Sequence, residues 1–147
     1  MSVTLKGRVT HKPSHLKYLI DGEEYFRQVR DAIANAQNYV LITDWWMSEQ
    51  AHLDHNDLTL IEFLKFIVDE KKGKNAKFCI YILLWNDAWT NYAHSIYIAI
   101  LRATHDYRKR IKVKLQALGF NKPISRWSHH QKTVVVDGYV GFVTPAL

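Results

Sequence analysis

"WSHHQKTVVVDGYVGFV", Trp127 to Val143, decides the architecture. Its second half reads as a β-hairpin. Val134, Val135 and Val136 form an apolar run, Asp137-Gly138 is a strong two-residue turn signal, and a second apolar run follows. The predicted pairing is Lys132–Val136 with Tyr139–Val143, in antiparallel sense. Its first half places His129, His130 and Lys132 where the strand begins, although such groups are costly to bury.

Working outward from the hairpin, the rest of the chain alternates strands and helices. "LKYLI" at 16–20 reads as a short strand. "DGEE" then opens a helix, with Asp21 and Glu24 at capping-box spacing, running to about Asn35. Tyr25, Phe26, Val29, Ala32, Ile33 and Ala36 recur along it at helical spacing. "NYVLITDWW" is a strand. Asn56-Asp57 is placed to cap a second helix whose apolar face is Leu60, Ile61, Leu64, Ile67 and Val68, ending near "KKGK". "KFCIYILLW" is a continuous apolar run, as expected of a strand covered on both faces in a parallel sheet. A third helix is predicted over 92–105, then "IKVKLQA" alternates like a half-exposed strand. The expected fold is α/β, a mixed β-sheet flanked by helices, in one domain spanning residues 1–147.

Composition agrees. Of 147 residues 48% are hydrophobic, enough for a real core. No apolar run reaches the roughly 18 residues a spanning helix needs, and the first residues lack the apolar stretch of a secretory signal. The single Cys79 lies within an apolar run and reads as a small buried hydrophobe. With no second cysteine to pair, a cytoplasmic setting is expected. The net charge of +6 is uneven: residues 1–101 sum to −1, whereas Arg102 to Lys132 holds nine basic side chains against Asp106 alone. Such a field is either a solvated face or steering for an anionic partner.

His130 and Lys132 stand two apart, so on a strand they project to the same side. A neighbouring ammonium disfavours protonation of the imidazole and leaves a lone pair free. The same ammonium attracts an anion. A neutral imidazole beside a phosphate-binding cation is what attack on phosphorus requires. A metal site is the weaker reading, because Lys132 would repel a cation.

The pattern His130-x-Lys132-x-x-x-x-Asp137 resembles the HKD signature of the phospholipase D superfamily. "WSHHQKTVVVDG" with "VGFV" behind it is similar to the first such motif, and "DGEEYFRQVRDAIANAQNYVLITDWWMS" resembles the family's opening segment. Together the resemblance covers about Leu16 to Val143. It implies a phospholipase D-like lobe and metal-independent phosphodiester transfer without a cofactor. His130 would be nucleophile or acid/base counterpart, Lys132 the phosphate clamp, and Asp137 the residue that orients the site. It further implies a glycerophospholipid or other phosphodiester substrate, peripheral contact with a membrane, and a homodimer or partner lobe supplying a second HKD motif. Trp45, Trp46 and Trp85 at strand ends, with Arg126 and His129, are the expected substrate-binding residues. A dimeric nuclease of the same superfamily, acting on nucleic acid, is the alternative, and a silent binding or regulatory lobe the third.

Two features depart from the family. No second motif occurs: His15-x-Lys17 is followed by Gly22 where Asp is needed. The family's glycine pair after the last strand is replaced by Thr144-Pro145, and proline has no N–H to offer a phosphate. The expectation is the N-terminal part of a lobe, cut short after the hairpin.

Overall fold

The computed structural model describes residues 15–53, 58–85, 95–116 and 132–144. In chain order the elements are α1 (Asp21–Asn35), β1 (Tyr39–Asp44), α2 (Leu60–Lys72), β2 (Cys79–Trp85), α3 (Ser95–Leu101), α4 (His105–Arg110), β3 (Ile111–Gln116), β4 (Lys132–Val136) and β5 (Val140–Thr144). The five strands form one sheet in the order β3-β2-β1-β4-β5. β1, β2 and β3 are parallel, whereas β4 is antiparallel to both β1 and β5. The sheet is therefore mixed, flanked by helices, as the alternation predicted.

Register explains where the core sits. Val40, Ile80 and Ile111 stand abreast, as do Ile42, Ile82 and Val113. Val136 and Val134 continue these rows on β4. The buried sheet residues belong to this one face, and they form a single cluster with Val29 and Ile33 of α1, Leu64, Ile67 and Val68 of α2, and Ile96 and Ile100 of α3. The other face carries Leu41, Tyr81 and Lys112 in one row, with Tyr81 40% exposed and the Lys112 ammonium 5.2 Å from its ring centroid. The expectation that β2 is covered on both faces is thus corrected. Its side chains alternate buried and accessible, so helices cover one face among the described residues.

Local details depart from the sequence reading in informative ways. Residues 16–20 form no strand. Leu16, Tyr18 and Ile20 alternate properly but are each more than three-quarters exposed, with no ladder beside them. Lys17 instead bridges to Glu24 at 3.0 Å. The start of α1 is a near-capping box. Glu24 N–H donates to Asp21 Oδ1 at 2.9 Å, while the Glu24 carboxylate accepts from Ile20 N–H rather than from Asp21. α2 is capped not by Asn56-Asp57, which lie outside the described residues, but by Thr59. The Thr59 hydroxyl and Glu62 carboxylate exchange bonds with each other's backbone N–H. Of the helix expected over 92–105, residues 92–94 lie outside the described residues and α3 ends at Leu101; α4 is a further helix that starts where that one was expected to end, pinned to α2 by Tyr107 Oη donating to Asp69 at 2.6 Å.

The hairpin forms where predicted, one residue off in register. Asp137 and Gly138 both take positive φ (52° and 73°), and Tyr139 N–H closes the turn onto Val136 carbonyl at 3.0 Å. Tyr139 then stays outside the ladder, so Val136 pairs with Val140, and Lys132 with Thr144. At Gly138 a Cβ would meet the Tyr39 hydroxyl at 2.9 Å, so positive φ and close approach both require glycine there.

Candidate active site

The parallel strands end together. Asp44 of β1 pairs with Leu84 of β2, and Trp85 with Gln116 of β3. Trp45 and Trp85 each lie one residue past the Asp44–Leu84 pair, and both are half-buried. Asp44 Oδ1 accepts the backbone N–H groups of Trp45 at 2.7 Å and Trp46 at 3.4 Å, which turns the chain sharply at the strand end. Trp46 is left 56% exposed while Trp45 is not, so the adjacent tryptophans differ in access. Carboxyl ends of parallel strands are where α/β sheets gather ligands.

Because β4 runs antiparallel to β1, its first residue arrives at this same edge. Thr133 stands opposite Thr43, and their hydroxyls share a 2.6 Å hydrogen bond. Lys132 comes one residue earlier, half-buried, on the face that carries Val134 and Val136. Tyr25 of α1 lies over this end of the sheet. Its ring meets Phe142 of β5 edge-on, centroids 6.1 Å apart. Burial, then the carboxylate of Asp44, holds the Tyr25 hydroxyl above the usual tyrosine range. Sequence reading missed Tyr25 because at helical spacing it is indistinguishable from a core aromatic.

Asp137 stands at the other end of β4. Five residues at about 3.3 Å each separate it from Lys132, roughly 16 Å. Its carboxylate accepts three backbone N–H groups, from Gln37 at 2.6 Å, Asn38 at 2.7 Å and Tyr39 at 2.8 Å. Burial opposes its ionisation. The bonds from Gln37, Tyr39 and Asn38, with the nearby Lys71, outweigh that and hold its pKa below the ordinary carboxylate value. Asp137 therefore fastens the α1–β1 junction to the hairpin.

Of the residues expected at the site, Lys132, Trp45, Trp46 and Trp85 gather at the carboxyl edge, and Asp137 does not. Arg126, His129 and His130 lie outside the described residues. Among the described residues no helix is long and apolar enough to cross a membrane.

The fold and its edge define an α/β protein that concentrates a cation and aromatic side chains where parallel strands end. Comparison with known proteins sharpens this. The chain is 30% identical over 141 residues to phospholipase D zeta 2 of Arabidopsis thaliana, covering 92% of this chain and 13% of that protein. It is 26% identical over 144 residues to phospholipase D B of Dictyostelium discoideum, covering 87% and 10%. Against phospholipase D2 of Bos taurus it is 26% identical over 134 residues, covering 86% and 13%. The chain belongs to the phospholipase D superfamily. It spans about a tenth of the length of these curated relatives. No protein-family model matches it.

Proposed function

We propose that this chain is a lobe of a phospholipase D-type phosphodiesterase acting on a glycerophospholipid through a phosphohistidine. The observation that supports this best is Lys132 at the carboxyl edge beside the strand-end tryptophans, with His130 two residues before it in sequence. The His130 imidazole attacks phosphorus, the N–P bond forms and the P–O bond to the leaving alcohol breaks. Lys132 neutralises charge gathering on the phosphoryl oxygens. An acid from a second motif protonates the departing alkoxide. Water then attacks phosphorus, the N–P bond breaks, and the water's proton passes to that same second group.

These 147 residues carry one HKD pattern, so the second motif comes from outside them, in a partner lobe or another copy. Asp137 serves as a positioning residue: it fixes the far end of β4 and so the angle at which Lys132 is presented. Trp45, Trp46 and Trp85 contribute apolar surface to a substrate whose body is lipid.

The test is direct. The protein is incubated with a fluorescent glycerophospholipid and quenched in alkali, and the modified residue is sought by mass spectrometry. A phosphoryl adduct on His130 is expected; turnover without it refutes the assignment. A parallel incubation with plasmid DNA reads the alternative. Cleavage of DNA with no action on lipid would replace phospholipid by nucleic acid as substrate.

A further inference from the structure

Thr144 ends β5 directly opposite Lys132. Cross-strand partners share a face, so the Thr144 hydroxyl and the Lys132 ammonium stem rise side by side from the sheet. Thr144 Oγ1 is buried and has no hydrogen-bond partner. A buried hydroxyl without a partner is costly, and buried polar atoms are nearly always satisfied. Among the described residues, its neighbours on this face one row further in, Val134 and Phe142, are apolar. Asp44 also ends its strand on this face, and its Oδ1 accepts the Trp45 and Trp46 N–H groups rather than the Thr144 hydroxyl. A hydroxyl hydrogen rotates freely to meet an acceptor.

We propose that the Thr144 hydroxyl is a substrate-binding group that donates to a phosphoryl oxygen held by Lys132. This rests on the phosphodiesterase reading above and adds to it a residue at the position where the family carries glycine. The ligand class is a phosphate ester or free phosphate: Lys132 supplies the charge and Thr144 a directed donor, which a flexible ammonium alone cannot provide. The hydroxyl hence makes up in part for the backbone donor that Pro145, having no N–H, withholds.

Inorganic phosphate titrated calorimetrically into the 147-residue protein tests this without needing turnover. Thr144→Val keeps the side-chain shape and removes the hydroxyl. It should weaken phosphate binding about tenfold, the usual consequence of losing one hydrogen bond to an anion, while the melting temperature stays level or rises. Thr144→Ser should bind within about twofold of wild type. Should the valine variant fail to fold, Thr144→Ala carries the same expectation. If Lys132→Met loses phosphate but Thr144→Val does not, the proposal falls and the phosphate site stands. If the wild type binds no phosphate, or Lys132→Met binds it as well as wild type, both fall.

Discussion

Asp137 and Tyr39 are joined by two hydrogen bonds in opposite senses: Tyr39 N–H donates to the Asp137 carboxylate at 2.8 Å, and Asp137 N–H donates to the Tyr39 carbonyl at 3.0 Å. Residues 98 apart in sequence thereby lock the start of β1 to the hairpin turn. Asp137→Ala should cost about 2–4 kcal/mol, because three backbone N–H groups lose a charged acceptor and alanine tolerates positive φ poorly. Asp137→Asn, which keeps one carbonyl oxygen and still tolerates that backbone, should cost about half as much. Urea unfolding measures both. Equal midpoints for wild type and the alanine variant would show that the lock is idle.

The same carboxylate fixes a pH dependence. Its pKa is lower in the folded than in the unfolded chain, where a free Asp titrates near about 3.9. The contribution to stability is therefore fully present above the unfolded value and is lost as pH falls through the folded one. The stability gap between wild type and Asp137→Asn should be constant from pH 7 to about pH 5 and narrow at more acid pH. A gap that held steady down to pH 2 would contradict the role given to these bonds.

Among the described residues helices cover one face of the sheet, which makes adjacent positions of β2 unequal. Ile82 is buried against the helices, whereas Tyr81 points to the open side. Ile82→Ala should cost about 2–5 kcal/mol. Tyr81→Ser should cost under about 1 kcal/mol, losing a partly exposed ring and its contact with Lys112. Similar costs at both positions would mean that the open face is covered in solution.

What the sequence disclosed and what it hid follow from the reach of local signals. Period-two and helical spacing identified α1, α2 and the five strands, since burial on one face is written into consecutive residues. The strand expected at 16–20 has the same alternation but no neighbour, and a pattern specifies a face without specifying a partner. α4 was missed because "HDYRKR" has no apolar period; its anchors are Tyr107 on Asp69 and an ion pair from Lys72 to Asp106. At the candidate site, the sequence placed the tryptophans at strand ends and Lys132 at a strand's start; that these ends share one edge follows from β4 lying antiparallel beside β1, which no local signal specifies. Tyr25 was invisible as a candidate site residue and Thr144 was legible only as a replacement for the family's glycine, because the packing of α1 on β5 and the one-residue register shift bring their side chains there.

The proposed chemistry can be separated from the fold at His130 and Lys132. His130→Ala should reduce phospholipid turnover by at least about 10³-fold, the scale of losing a nucleophile. It should leave the urea midpoint nearly unchanged, as expected of a residue whose role is chemical. Lys132→Ala should cost about 10²-fold or more through lost charge stabilisation, with weaker phosphate binding besides. Lys132→Arg keeps the charge but replaces a compact ammonium by a planar fork, so it should recover phosphate binding better than turnover. A histidine variant that turned over lipid normally would remove His130 from the reaction. If Lys132→Ala lost turnover and urea stability together, Lys132 would be a structural residue of β4, and the placement at the carboxyl edge would no longer argue for phosphate chemistry.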